Sequence, residues 1–193
     1  RLSARKRESH TVFHLAALAD IVPSIQYPLK YHQANVNGTI SVLECARQAG
    51  VKRFVYAASS SCYGIPEKYP TPETAPPQPR YPYALTKYIG EQYVLHWGHI
   101  YDLPVVSLRF FNVYGPGQES NWVVPIFLNK ALRNEPITVF GNGNQTRCFT
   151  YVEDVAEGVL TVFEKGKAEE AYNIGNNSPT TILELAQIIK EVT

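Results

Sequence analysis

The sequence predicts an α/β fold built on a doubly wound, mostly parallel sheet of the Rossmann-like kind. Three observations carry this. Short apolar runs recur at residues 11–16, 52–58 and 104–109, too brief for helices and without the alternation of a half-exposed strand. Segments with helical spacing of apolar residues separate them. Glycine and proline mark the joins. Strands alternating with helices wind into a right-handed parallel sheet.

The elements follow in order. Residues 11–16 (TVFHLA) form the first buried strand. From 31 to 49 the apolar positions Val36, Ile40, Val42, Leu43, Cys45 and Ala46 keep a helical period, and Gly50 supplies the stop. Residues 52–58 are the next strand. Seven of the fourteen prolines fall between Gly64 and Pro82, which predicts a long irregular loop, and loops of that length usually serve function. Pro82 then opens a helix over 83–100. Residues 104–109 form a third strand, helices are expected over 123–133 and 153–163, and a short strand over 137–140 lies between them. Residues 172–175 are a strand end, and a capping box, Thr181 with Glu184, starts the last helix. The expected division is 11–115 for the sheet with its crossovers and 116–193 for a mixed segment with returning strands.

Bulk properties narrow the class. A hydrophobic content of 45% and a charged content of 18% describe a globular protein, and a net charge of +1 offers no electrostatic support for nucleic acid or membrane surfaces. No apolar run approaches the ~20 residues of a membrane span. Three scattered cysteines without a C-x-x-C pair argue against a disulfide framework and a zinc site, and suit a reducing cytoplasm. With no methionine in the chain, Arg1 is read as a point inside a longer protein.

Ligands of open α/β sheets sit beyond the carboxyl ends of the strands. There the run VYAASSSCYG (55–64) closes a buried strand on Ser59, Ser60 and Ser61. A nucleophile elbow would need G-x-S-x-G, which is absent. Cys62 has no histidine in a diagnostic context, and His14, inside an apolar strand, reads as a satisfied structural residue. Gly141-Asn142-Gly143 reads as a turn. More informative is YALTK (83–87), which puts Tyr83 and Lys87 four apart on one helix face. A phenol with a pKa of about 10 is a poor base at neutral pH, whereas a neighbouring ammonium favours its phenolate. An oxidised nicotinamide would add a second positive charge. With 13 tyrosines and nine lysines, chance alone yields about 0.6 such spacings, so the pair takes its weight from following the serine-rich strand end.

FHLAA (13–17), NVNGT (35–39), the serine run with Tyr63-Gly64, YALTK, RFFNVYGPG (109–117), FGNGNQTRCFTYVEDV (140–155) and YNIG (172–175) follow one another in a fixed order. Together they closely resemble the extended short-chain dehydrogenase/reductase family, specifically its NAD-dependent sugar-nucleotide epimerases and dehydratases, over nearly the whole chain. The resemblance implies that Tyr83 is the acid/base and that Lys87 holds the nicotinamide ribose and lowers the Tyr83 pKa. Ser59 would bond the sugar O4. Leu15, Ala16 and Ala17 would line NAD with backbone groups, and Phe111 would pack near the nicotinamide. Asn35 would support the cofactor from its helix, a role as purely local backbone anchor being equally open. On the substrate side, Ser60 and Ser61 would seat the sugar, Asn112 would meet the phosphate or nucleotide, Phe140 would lie against the base, and Arg147 would pair with the diphosphate. The family's glycine-rich phosphate loop belongs upstream of FHLAA, where residues 1–10 do not supply it, and its later sugar-gating residues belong beyond Thr193. The chain is thus expected to be the middle of a longer enzyme, binding NAD poorly by itself.

Dehydratases of the family carry an acidic pair at the positions of Ser60 and Ser61, and sugar-acid decarboxylases carry a glutamate at the latter. Serine at both leaves oxidation and reduction at C4, hence a nucleoside-diphosphate-sugar 4-epimerase acting on a UDP-sugar. A reductase or dehydratase of the same fold is the near alternative, and a catalytically inert nucleotide-binding module is the distant one. The family pairs through the helices carrying Asn35 and Tyr83, so the full-length parent is expected to be a homodimer.

Overall fold

The structure, a computed structural model, describes residues 10–193. The chain divides into two compact units, one of residues up to Phe110 together with Val159–Asn173, the other of Phe111–Gly158 together with Ile174–Thr193.

In the first unit, β1 (Thr11–His14), β2 (Arg53–Ser59), β3 (Val105–Phe110) and β7 (Glu170–Ile174) form one sheet in the order β1-β2-β3-β7. β1 and β2 run parallel with His14 opposite Tyr56, and β2 and β3 run parallel with Ser59 opposite Phe110. His14, Ser59 and Phe110 therefore stand at carboxyl ends of strands, where the connections begin.

The first crossover is helical, and more segmented than the periodicity predicts. Short helices α1 (Ile21–Gln26) and α2 (Pro28–His32) lead into a π-helical turn at Gln33–Asn37 and then α3 (Gly38–Gln48). Within the turn, the Gly38 N–H bonds to the Gln33 carbonyl five residues back. α1 is not evident from sequence, since its Pro23 argues against a helix. The second crossover contains the long irregular loop as expected, then α4 (Pro82–Tyr101), entered through Pro82.

α3 and α4 pack on each other and on one face of the sheet. Leu43 and Ala46 from α3, Val94 from α4, the alternating β2 residues Phe54, Tyr56 and Ala58, and Val105 make that core. Each large apolar side chain fully buried there contributes about 1.5–3 kcal/mol. On the remaining face, Phe13 of β1 stacks at 5.4 Å on Phe163, and Arg53 donates to the carbonyls of Val162 and Gly166. These partners belong to the latter part of α6 (Val152–Lys165) and the turn after it. With both faces covered, β2 is a continuous apolar run.

The second unit is built around α5 (Val123–Leu132) and α7 (Ile182–Val192), whose Phe127, Ile182, Leu185 and Ile189 form its core. Both bonds of the Thr181–Glu184 capping box are present. Two small ladders complete it. β4 (Val113–Tyr114) pairs in parallel with β6 (Thr150–Tyr151), and β5 (Thr146–Arg147) pairs antiparallel with β8 (Thr180–Thr181). The strand expected over 137–140 does not form. Ile137 and Val139 pack on the Phe127 core, but the segment joins no ladder.

Candidate active site

β2 ends at Ser59 because that residue turns the chain. Still extended (φ −151°, ψ 139°), its hydroxyl accepts the Ser61 N–H at 3.2 Å and caps a single 3-10 turn over Ser60–Tyr63. Ser60 and Ser61 are half-buried on that turn, while Cys62 and Tyr63 point inward and are almost fully buried. Burial pushes the Cys62 thiol up to about 12, which suits packing and not nucleophilic attack. Gly64 follows with φ +65°, and a side chain there would collide with the Gln78 carbonyl.

Tyr83 lies in the first turn of α4, with the Ser59 hydroxyl near enough to its phenol to favour the phenolate. Burial raises the Tyr83 pKa, and the Ser59 hydroxyl pulls the other way. Lys87, one turn on, is 3% exposed, and desolvation brings its ammonium down to about 8 against a weaker upward pull from Glu91. The expectation that Lys87 lowers Tyr83 is not met in this geometry. The ammonium lies 4.4 Å from the centroid of the Tyr56 ring, and desolvation of the phenolate dominates.

Residues 15–17 leave β1 exposed, with Leu15 at 63%, while the chain just beyond them is held tightly. Asn35, 1% exposed, takes the Leu18 N–H on Oδ1 at 2.7 Å and donates Nδ2 to the Leu18 carbonyl at 2.9 Å and to Thr86 Oγ1 at 3.1 Å. Thr86 donates in turn to the Tyr83 carbonyl at 2.8 Å. The Tyr31 hydroxyl donates to the Ala19 carbonyl at 2.7 Å, and its ring meets Tyr83 edge-on at 6.5 Å. His14 bonds Thr39 Oγ1 through Nε2 at 3.0 Å, and Thr39 donates to the Asn35 carbonyl at 2.6 Å. Burial, then the Lys87 charge, lowers the His14 pKa. Asn35 thus acts on the backbone beside the candidate cofactor surface, and its polar atoms are engaged within the protein.

A second buried network braces the serine turn. Arg109 of β3 forms a two-pronged ion pair with Glu91 of α4 (Nη2 to Oε1 at 2.5 Å, Nε to Oε2 at 2.9 Å), and Ser107 donates to Glu91 Oε2 at 2.8 Å. Arg109 Nη1 reaches the Tyr63 hydroxyl at 2.6 Å and the Glu73 carbonyl at 3.2 Å. Tyr63 donates to Asn173 Oδ1 at 2.8 Å, and Asn173 ties down Thr71 and Glu73 through Nδ2 and its backbone N–H. These roles for Tyr63, Glu91, Arg109 and Asn173 were not assigned from sequence, although three of the four lie in the quoted motifs.

The structure therefore brings together Ser59, Tyr83, Lys87, Asn35 and the 15–17 segment within the first unit. Phe111, Asn112, Phe140 and Arg147 belong to the second. There Phe111 bonds Ile174 through its N–H and Thr150 through its carbonyl. Asn112 has φ +38° and donates weakly to the Cys148 carbonyl. Phe140 is 82% exposed, and Arg147 is exposed on β5, bonded to the Thr146 carbonyl.

The chain is similar to known proteins over nearly its whole length. The model of the NAD dependent epimerase/dehydratase family matches residues 2–175. A putative UDP-glucose 4-epimerase of Methanocaldococcus jannaschii is 37% identical over 188 residues, 95% of this chain and 61% of the relative. The dTDP-D-glucose 4,6-dehydratase of Homo sapiens is 38% identical over 93% of this chain and 53% of its own length. Among solved structures, the UDP-glucose 4-epimerase of Thermotoga maritima with UDP-glucose superposes with a TM-score of 0.92 at 38% identity, covering 95% of this chain and 61% of that one. A UDP-glucuronic acid 4-epimerase of Bacillus cereus, in complex with NAD, superposes at 0.88 with 30% identity, over 94% and 59%. The chain thus spans about half to three-fifths of the relatives it matches. With a family model matched over most of its length, the chain belongs to the NAD-dependent epimerase/dehydratase family.

Proposed function

We propose that the protein containing this chain is a nucleoside-diphosphate-sugar 4-epimerase, acting on a UDP-hexose, UDP-N-acetylhexosamine or UDP-uronic acid. The observation that carries the reading is the placement of the Ser59 hydroxyl, at the carboxyl end of β2, beside the Tyr83 phenol, with Lys87 one helical turn away on α4. NAD, when bound, would supply the hydride acceptor for C4 and the donor that returns it to the opposite face of the sugar. Tyr83 removes the O4 proton and returns it to the same oxygen, while Ser59 orients that oxygen. Lys87, held one helical turn from Tyr83, binds the cofactor ribose. The chain's residues suit the nicotinamide end of NAD, since residues 15–17 present free surface on a backbone anchored by Asn35 and Tyr31. Ser60 and Ser61 seat the sugar, and Phe111, Asn112, Phe140 and Arg147 serve the nicotinamide and the nucleotide diphosphate.

A dehydratase reading has support from the relatives, but it needs a base to take the proton alpha to the ketone. Hydroxyls at positions 60 and 61 are too weak for that. Glu91, a carboxylate buried in α4, is bound by Arg109 and Ser107 and is not free to serve.

Exposed large apolar side chains along α4 (Leu85, Tyr93, Ile100 and Tyr101) support a homodimer through this helix and α3. Three free cysteines support a reducing, cytoplasmic setting. Among the described residues no helix is long and apolar enough to cross a membrane.

The test uses the full-length protein with NAD and, in turn, UDP-glucose, UDP-N-acetylglucosamine and UDP-glucuronic acid, with products read by proton NMR. Appearance of the C4 epimer supports the reading. A 4-keto-6-deoxy sugar or a pentose, with no epimer, refutes it.

A further inference from the structure

The polar groups that hold Asn35, Tyr83 and the serine turn are accounted for by the networks above. Tyr56 is not. It is fully buried at 0% exposure in the middle of β2, and no role follows from its strand position. Its ring faces the Lys87 ammonium at 4.4 Å from the centroid, and its hydroxyl donates a long bond, 3.4 Å, to the carbonyl of the same lysine. α4 leaves room for it through Gly90, where a Cβ would fall 2.3 Å from the Tyr56 hydroxyl oxygen. One aromatic residue thus touches both ends of Lys87.

We propose that Tyr56 is a positioning residue for Lys87, its aromatic face serving as the seat on which the ammonium is held charged and aimed. The inference rests on Lys87 serving the cofactor and Tyr83 as read above. A buried ammonium has lost most of its water. The negative face of an aromatic ring replaces part of that solvation without offering a carboxylate that would trap the charge in an ion pair.

The other charged or titratable groups around the ammonium are few. Glu91, on α4, lies close enough to favour the charge but is held by Arg109. His14, on β1, is coupled to Lys87 and sits 5.8 Å from the same Tyr56 ring, so a second cation there would compete. Tyr83, on α4, couples to Tyr56 itself. The ring is accordingly the group in direct contact with the ammonium that favours its charged state.

The experiment replaces Tyr56, in the full-length protein, with phenylalanine, 4-fluorophenylalanine and 3,4,5-trifluorophenylalanine. These are close in size but carry a progressively weaker negative face, and circular dichroism checks the fold. Lysine labelled with carbon-13 at Cε is titrated by NMR, with the Lys87 signal assigned by its loss in Lys87→Arg. The Lys87 midpoint in the phenylalanine variant should stay near that of the parent and fall with each fluorination, by about half to one pH unit in the trifluoro variant. A midpoint unchanged across the series overturns the proposal, since a merely space-filling ring would give that result. The alkaline limb of kcat, measured in the same variants, should move in step. An NMR shift with an unmoved pH–rate profile upholds the seat and refutes instead the role of Lys87 in the reaction.

Discussion

Asn35 grips Leu18 by both of its backbone polar groups, taking the N–H at 2.7 Å and giving a hydrogen bond to the carbonyl at 2.9 Å. A carboxamide offers an acceptor and two donors at once, so Asn35→Ala should leave the Leu18 N–H and carbonyl and the Thr86 hydroxyl short of partners. The expected cost is about 2–3 kcal/mol in urea unfolding. NAD affinity of the full-length protein, read by calorimetry, should fall with it. Asn35→Asp keeps the acceptor and loses the donors, so it should fall between. Wild-type NAD affinity in Asn35→Ala would show that the grip does not shape the cofactor surface.

Tyr83→Phe should lower kcat by about 10²–10⁴ with little change in the unfolding midpoint, because it deletes a proton-transfer group and leaves the ring in place. Ser59 opposes the upward push of burial on Tyr83. Ser59→Ala should therefore displace the acidic limb of the pH–rate profile to higher pH as well as reduce the rate. Turnover by Tyr83→Phe at the parent rate would remove Tyr83 from the mechanism.

Lys87 titrates near 8 in the folded protein and near 10.5 unfolded. Between those values the unfolded chain binds more protons, so this residue makes stability rise with pH, by up to about 3 kcal/mol, and its burial is a cost at neutral pH. Activity should move the opposite way, declining as pH rises through about 8 and the ammonium is lost. Denaturant unfolding from pH 7.5 to 10 in parent and Lys87→Met checks the first, since the variant should lose that part of the slope. His14 acts at the acid end, because its lowered pKa gives stability that is complete above 6.5 and declines as pH falls through the folded value.

Breaking the Glu91–Arg109 pair should be severe. Glu91→Ala leaves a buried guanidinium without its anion and is expected to cost about 3–5 kcal/mol. Replacing both partners, Glu91→Leu with Arg109→Met, should be milder. Both should free the loop over residues 64–81, whose Glu73 carbonyl and Tyr63 anchor hang from Arg109. Limited proteolysis reads that release, and a loop cut no faster than in the parent would contradict the bracing role.

Gly90→Ala places a methyl group 2.3 Å from the Tyr56 hydroxyl oxygen, so helix or ring must shift. A loss of about 1–3 kcal/mol is expected, as for other overpacked cores. Tyr56→Phe in the same chain removes the nearest atom and should recover part of it. Additive effects of the two changes in a double-mutant cycle would show that the contact is not made.

Strands and long helices were legible in the sequence because their signals are local: continuous apolar runs for β2 and β3, a capping box for α7, a proline entry for α4. Residues 137–140 looked like a strand for the same local reason, yet a strand exists only with a partner, which no local pattern encodes. That Tyr83 and Lys87 share one helix is readable from their spacing together with the proline entry before them. The pairing of Arg109 with Glu91 is not, since it spans 18 residues and joins two elements. The contact of the Lys87 ammonium with Tyr56 is hidden for a related reason. Spacing puts two side chains on one face, but the aromatic ring beside the ammonium comes from β2.

The π-helical turn at Gln33–Asn37 does more than kink a helix. Residues four apart on an α-helix drift around its axis by about 40° per step, so a row of three would fan out. A π turn winds less per residue and undoes part of that drift. Tyr31, Asn35 and Thr39 are such a row, and they hold Ala19, Leu18 and His14 respectively. The inserted residue turns this stretch of helix into a ruler, three marks long, against which the chain leaving β1 is laid out. Deleting one residue from the turn would leave every partner in the sequence but put the marks out of line.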